Sequence, residues 1–133
     1  MAPANCTVLY VEDDLDDQSI FKECLNLVRP DITCEFAIDG PSALEKLRTS
    51  LRPLPVCIFI DVNMPVMNGN ELLAKIKADP ALCRIPCYML STSNNKRHME
   101  SAIASGARDY LIKPAVYIDF KNLLEETLQK VAV

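Results

Sequence analysis

With 133 residues, half of them hydrophobic and 24% charged, the chain carries enough apolar material for one compact core, which excludes a disordered or fibrous polymer. Its net charge of −4 and pI near 4.9, without a long run of Lys or Arg, exclude a nucleic-acid-binding surface, because that needs a basic patch facing phosphate. The longest apolar stretch, "LPVCIFI" at 54–60, is far short of the roughly 20 residues that span a bilayer, and "MAPANC" has no secretion pattern, so the expectation is a cytoplasmic protein that does not enter membranes.

The first β-type run, "TVLYV" at 7–11, is apolar almost throughout, and it is followed at once by Glu12, Asp13, Asp14, Asp16 and Asp17. Carboxylates this close repel, and a desolvated one without a partner costs several kcal/mol, so either water or a cation must solvate the cluster. A helix follows, with Ile20, Cys24, Leu27 and Val28 at helical spacing. "TCEFAI" at 33–38 reads as the second strand. Pro41 starts the next helix, whose stripe is Ala43, Leu44, Leu47 and Leu51.

Pro53 and Pro55 frame the third strand, "VCIFI" at 56–60. Leu72, Leu73 and Ile76 mark the third helix, and Pro80 follows it. "PCYML" at 86–90 is the fourth strand; Met99, Ala102 and Ile103 lie on the fourth helix; "DYLI" at 109–112 is the fifth strand. Phe120, Leu123, Leu124, Leu128 and Val131 form the stripe of the last helix. Gly40, Gly69 and Gly106 sit beside helix ends, where turns are needed. Strands that recur at the length of a βα unit predict an α/β fold, (βα)5, with a doubly wound parallel sheet and right-handed crossovers. The expectation is one domain over 1–133, with neither a linker nor an output domain.

Six cysteines (Cys6, Cys24, Cys34, Cys57, Cys83 and Cys87) make no CxxC, and the one histidine, His98, completes no zinc spacing. Reduced packing residues are expected, with His98 on a solvated helix surface.

Ligands of open α/β sheets bind outside the carboxyl ends of the strands. There the chain places Glu12 and Asp13, then Asp61, then Ser91, Thr92 and Ser93, then Lys113. Each has a plain structural use alone: an acid before a helix caps it, a Ser/Thr run makes a turn, and a strand-end lysine reaches water. Together they suit a hard divalent cation beside a phosphoryl group. Carboxylates ligate the cation, while ammonium and hydroxyl groups meet the phosphoryl oxygens.

"VLYVEDD", "IDVNMPVMNG", "MLST" and "GARDYLIKP" resemble four segments of the receiver domain of two-component response regulators, and the likeness runs the length of the chain. The wording "NMPVMNG" and "LSTSN" is further similar to small stand-alone receivers paired with bacterial phytochrome kinases. The resemblance implies the flavodoxin-like strand order 2-1-3-4-5, for which a receiver is among the stock examples. It implies a phosphoprotein of a phosphorelay, with Asp61 as phosphoacceptor taking a phosphoryl group from the phosphohistidine of a sensor histidine kinase. Mg²⁺ would be ligated by Asp13, Asp61 and the backbone carbonyl of Asn63, with Glu12 acting through water. Lys113 and Ser91 would hold phosphoryl oxygens. Ser91 and Tyr110 would form the switch, and the Lys113–Pro114 bond would be cis.

Thr92 stands where many receivers have Ala or Gly, which narrows access to the phosphoryl group. Glu12 replaces the Asp common in the acid pair. An alternative reading, a Mg²⁺-dependent phosphatase with an aspartate nucleophile, wants a second acid two residues beyond Asp61, where this chain has Asn63. The chain is therefore read as a signalling domain rather than an enzyme. The apolar succession Val116, Tyr117, Ile118 and Phe120 exceeds one core-facing stripe: either its first three residues pack the loop that enters the last helix, or the segment belongs to a contact surface formed by the fourth helix, fifth strand and fifth helix, of which a homodimer is one form.

Overall fold

The structure is a computed structural model that describes residues 6–64 and 66–131. The strands are β1 (Thr7–Val11), β2 (Thr33–Ala37), β3 (Cys57–Asp61), β4 (Cys87–Ser91) and β5 (Asp109–Ile112), all parallel in the order β2-β1-β3-β4-β5. The helices are α1 (Leu15–Val28), α2 (Gly40–Glu45), α3 (Gly69–Ala78), α4 (Lys96–Ala104) and α5 (Tyr117–Gln129). This is the (βα)5 fold that the alternation predicts. Among the described residues no helix is long and apolar enough to cross a membrane.

Local chemistry starts the helices. Asp14 caps α1 by accepting from the N–H groups of Asp16 and Asp17, Asp39 caps α2, and Asn68 caps α3 in a reciprocal box with Glu71. α2 runs on through a π-type turn over Lys46–Ser50, which ends where the Leu51 N–H donates to the Lys46 carbonyl 2.9 Å away. Gly106, at φ +109°, turns the chain out of α4 in a conformation other residues adopt poorly.

Two cores flank the sheet. One face packs under α1 and α5 with Tyr10, Phe21, Phe59, Tyr88 and Phe120. The other packs under α2, α3 and α4 with aliphatic residues such as Leu9, Ile58, Leu47, Leu72 and Ile76. β3 and β4 are buried along their whole length, as parallel strands covered on both faces must be.

Three expectations change. The buried face of α1 is Phe21, Cys24 and Leu25, an i, i+3, i+4 stripe that seats the large Phe21 ring on Tyr10 at 4.2 Å, and Ile20 and Leu27 fall outside that stripe and face solvent. β3 and β4 run one residue further than expected, so Asp61 and Ser91 end their strands rather than follow them. The ladder continues past them, with the Val62 N–H donating to the Leu90 carbonyl.

Among the described residues the cis peptide bond is Arg52–Pro53, and Lys113–Pro114 is trans. The trans form is the ground state even before proline, by roughly 0.5–1 kcal/mol, and only the family likeness argued for the exception.

All six cysteines are free thiols. Burial is the main force that raises the Cys34 thiol to about 12 and Cys87 to about 11, which keeps both protonated and inert.

Candidate functional site at the carboxyl edge of the sheet

β1 and β3 are neighbours in the sheet, so the residues at their carboxyl ends meet. Glu12, Asp13 and Asp61 each offer a carboxylate oxygen, all within 4.8 Å of one another. Glu12 is 1% exposed and Asp61 7%, whereas Asp13 faces solvent. β5 delivers Lys113 to the same place. Its Nζ lies 2.7 Å from Glu12 Oε1, 3.1 Å from Asp17 Oδ2 and 3.9 Å from Asp61 Oδ2.

Four carboxylates thus face one ammonium. Burial, then the hydrogen bond and charge of Asp61, raise the Glu12 carboxyl to about 8 against the opposing pull of Lys113. Burial alone would lower Lys113, but its contacts with Glu12, Asp61 and Asp17 leave it raised and charged. Negative charge therefore remains uncompensated around three convergent oxygen donors. A hard cation fits that donor set, and the three carboxylates could hold one.

Ser91, 1% exposed, closes β4 beside this cluster, and its Oγ accepts from the Ser93 N–H at 3.0 Å. That leaves the Ser91 hydroxyl proton free to donate elsewhere. Thr92 is exposed next to it. The exposed Asn63 follows Asp61, and its N–H donates to Asp61 Oδ1 at 3.2 Å. Tyr110 is 5% exposed, with its hydroxyl donating to the Ser93 carbonyl at 3.1 Å.

The structure brings together Glu12, Asp13, Asp61 and Lys113, with Ser91 beside them. Tyr110 and Thr92 lie one shell away, and Pro114 follows Lys113 without the expected cis bond.

Three participants were missed in the sequence. The Tyr10 hydroxyl, two residues back on the same face of β1, donates to Glu12 Oε1 at 3.2 Å, and burial with the nearby Glu12 charge raises its own pKa. The alternation of strand side chains is the signal that places Tyr10 and Glu12 on one face. Asp17, read in the sequence only as a member of the acidic run at the start of the first helix, pairs with Lys113; that partner was legible only once the end of β5 was known to lie near α1. Gln18 donates from Nε2 to the Glu12 carbonyl at 2.7 Å.

Gly69 holds α3 against the site. A Cβ there would lie 2.6 Å from the Asp61 carbonyl oxygen and 2.8 Å from the Val62 Cα, so only glycine permits this approach.

Fold and acidic edge together define a flavodoxin-like signalling domain of the two-component class. The chain belongs to the response regulator receiver domain family, which matches residues 8–126. It is 31% identical over 121 residues to the chemotaxis protein CheY1 of Helicobacter pylori, covering 91% of this chain and 95% of that protein. It is 30% identical over 122 residues to a probable methanogenesis regulatory protein, FilR2, of Methanothrix harundinacea, covering 90% and 79%. Among solved structures, the Mn²⁺-bound form of the response regulator Rcp1 superposes with a TM-score of 0.83 at 29% identity, covering 96% of this chain and 98% of that one. The phosphorylated cyanobacterial phytochrome response regulator RcpA gives 0.85 at 28% identity, covering 95% and 93%.

Proposed function

We propose that the protein accepts a phosphoryl group on Asp61 from the phosphohistidine of a sensor histidine kinase and signals through the surface that this modification alters. The observation that carries the reading is the convergence of Asp61, the Glu12–Asp13 acid pair and Lys113 from three separate strand ends.

A carboxylate oxygen of Asp61 attacks phosphorus, the P–O bond forms as the P–N bond breaks, and the imidazole leaves with the kinase. Lys113, already 3.9 Å from Asp61, binds one phosphoryl oxygen. The free proton of the Ser91 hydroxyl meets another. Asp13, Asp61 and the Asn63 carbonyl would hold Mg²⁺, with Glu12 contributing through water, and the ion when bound supplies positive charge against the phosphoryl oxygens. The Glu12 carboxylate is already engaged by Lys113, Tyr10 and the Asp13 N–H, which supports that indirect part. Exposed Thr92 narrows the approach to the phosphoryl group.

The position two residues beyond Asp61, where an aspartate-nucleophile phosphatase has its second acid, is Asn63, which speaks against that reading. The likeness to RcpA and the "NMPVMNG" segment support a phytochrome-type kinase as donor. Val116, Tyr117 and Ile118 are 54%, 42% and 52% exposed, which supports contact, including a homodimer, through α4, β5 and α5.

Incubation with acetyl phosphate and Mg²⁺ tests the core of the proposal. Acid-labile phosphate is expected to reach one equivalent on wild type and none on Asp61→Asn. Equal incorporation in both overturns it, and turnover of many equivalents favours a phosphatase.

A further inference from the structure

Protein groups engage Glu12 from every side. Its Oε1 accepts from Lys113 Nζ at 2.7 Å and from the Tyr10 hydroxyl at 3.2 Å, while its Oε2 accepts from the Asp13 N–H at 3.1 Å. Its backbone N–H donates to the Ala37 carbonyl, and its carbonyl accepts from Gln18 Nε2. The side chain is buried, so these bonds stand in for water.

Tyr10 is fully buried as well, stacked on Phe21 with ring centroids 4.2 Å apart. Such packing asks for a ring, not a hydroxyl, and phenylalanine would fill the same space. Tyr88 supplies the contrast within the same core: its hydroxyl is buried with no hydrogen-bond partner among the described residues. The Tyr10 hydroxyl instead reaches the acid two residues on, which stands on the same face of β1.

The two donors on Oε1 differ in what else they can reach. Lys113 Nζ lies 3.1 Å from Asp17 Oδ2 and 3.9 Å from Asp61 Oδ2 on a flexible stem, so it can turn from Glu12 toward a group attached to Asp61. Tyr10 is fixed in the aromatic core and cannot follow. When the ammonium turns away, the phenol still serves Oε1 and the Asp13 N–H still serves Oε2. Without the phenol, Oε1 would be a buried oxygen left with no donor, which costs far more than losing one of two donors.

We infer that Tyr10 is a positioning residue of the site: its hydroxyl keeps Glu12 Oε1 bonded when Lys113 withdraws, and so sets how readily that ammonium is released to a phosphoryl oxygen. The release rests on the phosphoacceptor reading; the reserve bond from Tyr10 to Glu12 does not.

The first arm of the test needs no phosphoryl group. Urea unfolding with chelator present is measured for wild type, Tyr10→Phe, Lys113→Met and the double variant. Removing either donor leaves Oε1 with the other, whereas removing both leaves it none. Tyr10→Phe is therefore expected to lower the folding equilibrium constant roughly 5- to 30-fold more in Lys113→Met than in wild type. Effects that are additive to within about twofold overturn the inference.

The second arm adds Mg²⁺ and beryllofluoride, a phosphoryl mimic whose binding is followed by ¹⁹F NMR. Mg²⁺ affinity is measured separately, by competition with Mn²⁺ in water proton relaxation. Tyr10→Phe is expected to weaken beryllofluoride binding roughly 5- to 10-fold and to leave Mg²⁺ affinity within about twofold of wild type. Tyr88→Phe, which deletes a hydroxyl from the same core, changes neither. Equal loss of both affinities in Tyr10→Phe overturns the inference, as does a Tyr88→Phe effect of the same size. A wild type that binds no beryllofluoride fails the phosphoacceptor reading instead, and the unfolding cycle then decides the reserve bond alone.

Discussion

The two faces of the sheet are built from different materials. Under α1 and α5, Phe21 stacks on Tyr10 at 4.2 Å and meets Phe59 and Phe120 edge-on at 5.2 and 6.2 Å, while Phe59 stacks on Tyr88 at 5.4 Å. Under α2, α3 and α4 the core is aliphatic and methionine-rich, with Met64, Met89 and half-buried Met67 and Met99. α4 is the extreme case, since Ala102 is its one fully buried residue. Aromatic rings lock in few orientations, whereas methionine and alanine tolerate displacement. The rigid face supports Tyr10 beneath Glu12; the compliant face carries the segment that joins Ser91 to α4.

The largest blow to this contrast is Phe21→Ala. Removing the ring common to three aromatic contacts is expected to cost roughly 3–5 kcal/mol in urea unfolding, the range for a buried phenylalanine. A loss under about 1 kcal/mol would show that the aromatic cluster is not the rigid half.

Gly69→Ala probes the other face where it touches the site. With a Cβ placed 2.6 Å from the Asp61 carbonyl, α3 must retreat, at about 1–3 kcal/mol. Slower phosphate uptake from acetyl phosphate is expected alongside the lost stability, and unchanged uptake would separate the position of α3 from that of Asp61.

Met99→Ala is expected to cost about 1 kcal/mol or less, since Met99 is only half-buried. In hydrogen exchange, α4 amides should open well before those of α1. Equal protection of the two helices would sink the compliant-face description.

Much of this could be read before any coordinates. The spacing of apolar runs located all five strands, and the strand-end rule gathered Glu12, Asp13, Asp61, Ser91 and Lys113 at one edge. What stayed hidden depended on contacts between distant segments. α1 carries apolar residues nearly all round (Leu15, Ile20, Phe21, Cys24, Leu25, Leu27 and Val28), so spacing alone could not choose its buried face. The choice follows from Tyr10, a residue on another element. Asp17 looked like one more helix-start acid because its partner lies 96 positions away.

The lysine at the acidic edge has a consequence for how the chain assembles. Its bond to Glu12 spans 101 positions, so it joins the end of the first strand to the end of the last. Closing a loop that long costs entropy before any contact repays it. A chain released before β5 has docked holds Glu12, Asp13 and Asp61 without their counter-charge, with carboxylates pressing against one another. The arrival of Lys113 therefore acts as a completion signal: the charge pattern of the edge exists only in molecules whose first and last strands have already been brought into one sheet.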